Sequence, residues 1–121
     1  MQRSDIKLRS RDGGEFDCYV AVPDGAARVP GIVIASAVQG VDRDIRGLAD
    51  AFAEKGVVAA APDLFWRTIP GPLPHGDPRC SERSRPRGPC IKAGESDMAD
   101  ALNHLKTLPG CNGRAMAAGF C

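Results

Sequence analysis

The chain has 121 residues, 43% of them apolar and 26% charged, with a formal net charge of +1. That length suits one domain around a single core, and the composition is globular rather than disordered. The near balance of charge excludes a general attraction to nucleic acid or to an anionic membrane surface.

The N-terminus, Met1-Gln2-Arg3-Ser4-Asp5, lacks the apolar run of a secretory signal. No stretch approaches the ~18 to 20 apolar residues that cross a bilayer. A soluble, cytoplasmic protein is expected. Five cysteines, at 18, 80, 90, 111 and 121, are an odd number, better read as free thiols than as a disulfide framework.

In chain order, Ile6 and Leu8 alternate with charged neighbours. Phe16, Cys18, Val20 and Val22 alternate again after the turn signal Asp12-Gly13-Gly14, which predicts an antiparallel hairpin. The β-branched run Ile32-Val33-Ile34-Ala35 has no alternation and suits a strand buried on both faces. From Asp42 to Lys55, Ile45, Leu48, Ala49 and Phe52 follow helical spacing, with Gly56 placed as the C-terminal stop. Val57 to Ala61 reads as a second buried strand, parallel to the first because a helix joins them.

The segment 70–94 is crowded with Pro, Gly and Arg and has no usable periodicity, so an irregular lid or insert is expected there. Met98, Ala101, Leu102, Leu105 and Leu108 define another helix, with Glu95, Ser96 and Asp97 favouring its N-terminus and Pro109-Gly110 stopping it. The turn Cys111-Asn112-Gly113 then leads into Arg114 to Phe120, a third core strand ending in a sharp turn at Gly119-Phe120-Cys121. No internal repeat is visible. The architecture is α/β.

Three stretches together resemble the dienelactone hydrolase family. The first is Gly31-Ile32-Val33-Ile34 followed by Gly40-Val41-Asp42 and Ile45-Arg46. The second is Val58-Ala59-Ala60-Ala61-Pro62-Asp63-Leu64-Phe65-Trp66-Arg67, and the third is Leu108-Pro109-Gly110-Cys111-Asn112-Gly113-Arg114 running into Gly119-Phe120-Cys121. The resemblance spares only 70–94. It implies an incomplete α/β-hydrolase fold, with an N-terminal β-hairpin followed by parallel strands with helical crossovers. Residues 1–121 are then expected to be the N-terminal portion of a single domain that stops at the nucleophile elbow, since family members continue for roughly as many residues again.

The resemblance also implies chemistry. α/β-Hydrolases place the nucleophile on a strained turn between a core strand and a helix, in a Gly-x-nucleophile-x-Gly pattern. Gly119, Phe120 and Cys121 match its first half, and Cys121 takes the nucleophile's place. A helix starting just after it would stabilise a thiolate and offer an N–H to an oxyanion. The general base and its orienting carboxylate are expected from the family's other half, and neither His75 nor His104 is a credible substitute.

Where the family commonly carries a Glu near the resting thiol, this chain has Ala37, which cannot ionise, and dienelactone itself becomes a doubtful substrate. Ser36 and Gln39 are candidates to present polar groups to the substrate. The family also holds its substrate carboxylate with arginines, whose planar fork of donors suits the task, and Arg79 falls near one such position.

Weaker signals favour ordinary roles. His75, Cys80 and Cys90 lack the paired spacing of zinc sites, so neither a metal nor another cofactor is expected. Asp63 is expected to fix its loop through backbone hydrogen bonds, and Phe65 and Trp66 to form core or cleft wall. The expected partner is a small-molecule ester or lactone, with a monomer once the domain is completed. The alternative is a non-catalytic piece, truncated or frame-disrupted, or a small α/β binding module.

Overall fold

The computed structural model describes residues 1–25, 27–85 and 87–120, with the backbone alone at Arg87. The hairpin forms as expected: β1 (Gln2–Arg9) and β2 (Glu15–Val22) pair antiparallel, with Leu8 opposite Phe16. β3 (Val29–Ala35) is followed by α1 (Arg43–Glu54), β4 (Val58–Pro62), α2 (Arg79–Arg83), α3 (Arg87–Thr107) and β5 (Cys111–Gly119). The sheet order is β1-β2-β4-β3-β5, antiparallel through β1, β2 and β4 and parallel through β4, β3 and β5.

The order and the handedness of crossovers together set the faces that the helices cover. β4 lies on one side of β3 and β5 on the other, so two right-handed crossovers must travel in opposite directions and place their helices on opposite faces. α1 therefore covers the face lined by Tyr19, Ala21, Ile32, Ile34, Ala59 and Ala61, whereas α3 covers Phe16, Val20, Val33, Val58 and Ala60. β4 is buried throughout and mostly alanine, which lets both helices approach the sheet closely. The approach of α3 is closest at Gly31, where an added Cβ would sit 2.7 Å from Leu105 Cδ2.

Helix α1 matches its sequence signals nearly residue for residue. Asp42 is its N-cap, accepting from the Ile45 N–H at 3.1 Å, and Lys55 is its C-cap. Three other expectations need correction.

The segment 70–94 is not irregular throughout. It holds α2, and its residues from Arg87 onward are the first turns of α3. Pro89 lies in the first turn of that helix, where a missing N–H costs no intrahelical bond.

Glu95, Ser96 and Asp97 consequently lie inside α3 rather than at its start, and Asp97 is fully buried. Its carboxylate accepts from Trp66 Nε1 at 2.9 Å and from Arg67 Nη1 and Nη2 at 2.7 and 3.0 Å. The ion pair across elements, not the helix dipole, accounts for the acid.

The turn at Cys111-Asn112-Gly113 is an irregularity within β5, where the register with β3 shifts between Val29 and Gly31. The Asn112 side chain accepts from the Arg114 N–H at 2.9 Å. β5 forms where a third core strand is expected and pairs with β3, yet beyond Cys111 its residues are exposed or only partly buried, with Met116 62% exposed.

Among the described residues, no helix is long and apolar enough to cross a membrane. Cys18, Cys80, Cys90 and Cys111 are free thiols, as expected.

Candidate active site

The loops leaving β3 and β4 run to opposite faces of the sheet, and such a divergence opens a crevice at the C-terminal ends of adjacent parallel strands. A cavity of about 520 Å³ occupies that position, lined by Ala35 at the end of β3, Leu64 and Phe65 after β4, and Cys90, Ile91 and Met98 from α3. β5 ends beside it. Gly119 pairs with Ala35, and the Phe120 N–H donates to the Ala35 carbonyl at 3.1 Å. Cys121 itself lies outside the described residues.

The β3–α1 loop is held in a defined shape. The Gly40 N–H closes a turn onto the Ala37 carbonyl at 2.9 Å, and the Gln39 carbonyl accepts from the Leu73 N–H at 2.8 Å. Gly40 has φ +82°, and a Cβ there would meet Arg83 Nη1 at 2.9 Å. Glycine is required on both counts.

Arg83 is the clamp of this region. It is fully buried, and its guanidinium donates to the carbonyls of Val38 at 2.9 Å, Ile69 at 2.6 Å and Gly71 at 2.5 Å. Its Nε is buried with no hydrogen-bond partner among the described residues. Burial pulls the guanidinium below its ordinary pKa, opposed chiefly by the Asp63 carboxylate.

Asp63 fixes its own loop, as expected. Its carboxylate accepts from the Phe65 N–H at 3.2 Å and the Gly71 N–H at 2.8 Å. Burial raises its pKa above the usual carboxylate value, against those two N–H donors and the charge of Arg83. Trp66 stacks on Phe16 with ring centroids 5.8 Å apart, while Phe65 forms cavity wall. The Pro-Asp-Leu-Phe-Trp-Arg stretch is thus a structural turn whose Phe65 reaches the crevice.

The residues expected at the site divide. Ser36 lies directly after β3, and its hydroxyl oxygen is buried without a hydrogen-bond partner among the described residues. Ala37 and Gln39 line a second cavity of about 250 Å³, together with Phe120 and His75. Arg79 lines neither cavity. It sits on α2, half exposed, with its fork on Asp77: Nη2 to Oδ2 at 2.9 Å and Nε to Oδ1 at 3.2 Å.

His104 is in the last turn of α3, which runs back toward the N-terminal ends of the parallel strands. Cys18 is no nucleophile, because burial pushes its thiol up to about 12.

Among the described residues, the group that converges with metal-ligand geometry is Asp42, Asp44 and His75, within 4.8 Å of one another, rather than His75 with Cys80 and Cys90. Both acids belong to the start of α1, where the cap and the helix dipole account for them. Sequence reasoning missed Arg83 and the cavity wall from Cys90 to Gly94. An arginine among other arginines carries no local mark of burial, and the wall residues were hidden in a stretch without apolar periodicity.

A sheet with this strand order, a closed loop after β3 and a strand ending at a crevice between divergent connections are the features of an α/β-hydrolase fold. The dienelactone hydrolase family profile matches residues 16–121, and the chain belongs to that family. Carboxymethylenebutenolidase 1 of Cupriavidus pinatubonensis is 31% identical over 121 residues, covering 96% of this chain and 50% of the relative. The solved structure named m3DLH superposes with a TM-score of 0.82 at 22% identity, covering 99% of this chain and 49% of its own. A dienelactone hydrolase-like promiscuous phosphotriesterase from metagenomic libraries gives 0.73 at 18% identity, covering 100% and 50%. The chain spans about half the length of the curated relatives it matches over most of its own length.

Proposed function

We propose that this chain supplies the nucleophile and half of the substrate crevice of a cysteine hydrolase that cleaves a carboxylic ester or enol-lactone. The Cys121 thiolate attacks the carbonyl carbon, the leaving alkoxide or enolate departs with a proton from a His, and water then hydrolyses the thioester. The His and its orienting carboxylate come from the part of the relatives' length that this chain does not span. The observation that carries the reading is the convergence of Gly119 and Phe120 on Ala35 at the mouth of a crevice between divergent strand connections.

Two further features support it. The β3–α1 loop, where this superfamily takes its second oxyanion N–H, is held by Arg83 and by Gly40. The Ser36 hydroxyl, directly after β3 on the same loop, is buried without a hydrogen-bond partner among the described residues, which leaves it a donor to spare there.

The test is acyl trapping in a protein completed to the relatives' length. p-Nitrophenyl acetate should release nitrophenolate in a burst and leave an acetyl group on Cys121 by peptide mass spectrometry. The Cys121→Ala variant should lose both. A burst that survives in Cys121→Ala refutes the nucleophile, and an inert completed protein supports the non-catalytic alternative.

A further inference from the structure

We propose that the half of the crevice that this chain supplies, between β3 and β4, favours a neutral, apolar acyl group over an anionic one. This rests on the hydrolase reading and narrows its substrate class.

The lining of the 520 Å³ cavity carries the argument. Ala35, Leu64, Phe65, Ile91 and Met98 are apolar, and Gly94 leaves an opening in the α3 wall. The polar groups are Ser84, the Cys90 thiol and the Glu95 carboxylate, with no cation in the lining among the described residues. An anionic acyl group here finds no cation among the described residues of the lining and lies beside the exposed Glu95 carboxylate, a like charge.

Three of the nearby arginines are committed elsewhere. Arg83 is spent on three backbone carbonyls, Arg79 on Asp77, and Arg67 on Asp97 and Asp12. Arg85 is exposed and borders a smaller neighbouring cavity of about 160 Å³. A volume of 520 Å³ falls within the range of small-molecule sites and exceeds what a two-carbon acyl group fills. Each additional buried methylene is then worth about a fourfold gain in affinity.

The experiment compares two hydrolysis-proof ketones of nearly equal shape, butyrophenone and 4-oxo-4-phenylbutanoate, by calorimetric titration of this chain. Butyrophenone should bind at least tenfold more tightly. Gly94→Leu should weaken butyrophenone at least tenfold while keeping the circular dichroism spectrum and thermal midpoint. A Cβ at Gly94 meets nothing within 4 Å, and replacing a helical glycine favours the helix. Glu95→Lys should narrow the gap between the two ketones, and Arg85→Ala should leave it unchanged.

Equal binding of the anion, wild-type affinity in Gly94→Leu, or no binding of butyrophenone overturns the proposal. So does an affinity that falls with protein concentration as a dimer forms, which would make the crevice an interface between copies. Failure of the hydrolase reading looks different: butyrophenone still binds this chain, but p-nitrophenyl butyrate leaves Cys121 of the completed protein unmodified.

Discussion

Replacing Arg67 by Met should destabilise the chain more than replacing its partner Asp97 by Ala, because the two ends of the ion pair differ in their access to water. Asp97 is fully buried, whereas the Arg67 side chain is 27% exposed. Arg67→Met strands the carboxylate with one remaining donor, Trp66 Nε1 at 2.9 Å. An uncompensated buried charge of this kind costs about 3–5 kcal/mol. Asp97→Ala leaves Arg67 with Ser10 Oγ at 2.9 Å, Asp12 Oδ2 at 3.2 Å and solvent. The main loss is then the indole donor without an acceptor, about 1–3 kcal/mol.

Urea unfolding followed at the helical circular dichroism band avoids relying on Trp66, which the substitutions disturb. With a slope of about 1–3 kcal/mol per molar urea, Arg67→Met should lower the midpoint by about 1–5 M. Adding Asp97→Ala to Arg67→Met should recover stability, since the bare carboxylate is gone. A double variant less stable than Arg67→Met, or Asp97→Ala costing more than Arg67→Met, refutes the reasoning.

Two further outcomes follow from the packing. Gly31→Val should destabilise by about 1–3 kcal/mol, because its Cβ would enter the space of Leu105 at 2.7 Å, and Leu105→Ala in the same background should relieve part of that loss in the same urea assay. The Asp63 carboxyl, followed by carbon NMR through an acid titration, should titrate above the usual carboxylate value of 3.8, because burial raises its pKa. A folded-state pKa above the unfolded one means the folded chain binds the extra proton. Asp63 therefore opposes folding increasingly as pH rises from the unfolded to the folded pKa, and Asp63→Asn should remove that part of the pH dependence. A pKa at or below 3.8 contradicts this account.

Much of the fold was legible because its signals are local. The alternation of β2, the β-branched run of β3, the helical spacing from Ile45 to Phe52 and the Asp42 cap each depend on residues within one element. The opposite faces taken by α1 and α3 followed from the rule of handedness once the strand order was known. The site was legible to the extent that motif spacing places Gly119 and Phe120 at a strand end, and Asp63 behaves as its Pro-Asp context implies. Arg79 was singled out by its position in the chain, and its fork instead closes on a neighbour two residues away.

What the sequence by itself determined is therefore the five strands, α1 and the later turns of α3, the hairpin, the parallel relation of β3 and β4, and the family. Tertiary structure alone decided that Arg83 is buried, that Asp97 anchors Arg67 across 30 residues, and that 87–94 is helix forming one wall of an apolar crevice. The physical reason is the same in each case. A charge is tolerated inside a protein only when remote groups converge on it, and a cavity exists only between elements. Neither the convergence nor the gap has a period that can be read along one segment of chain.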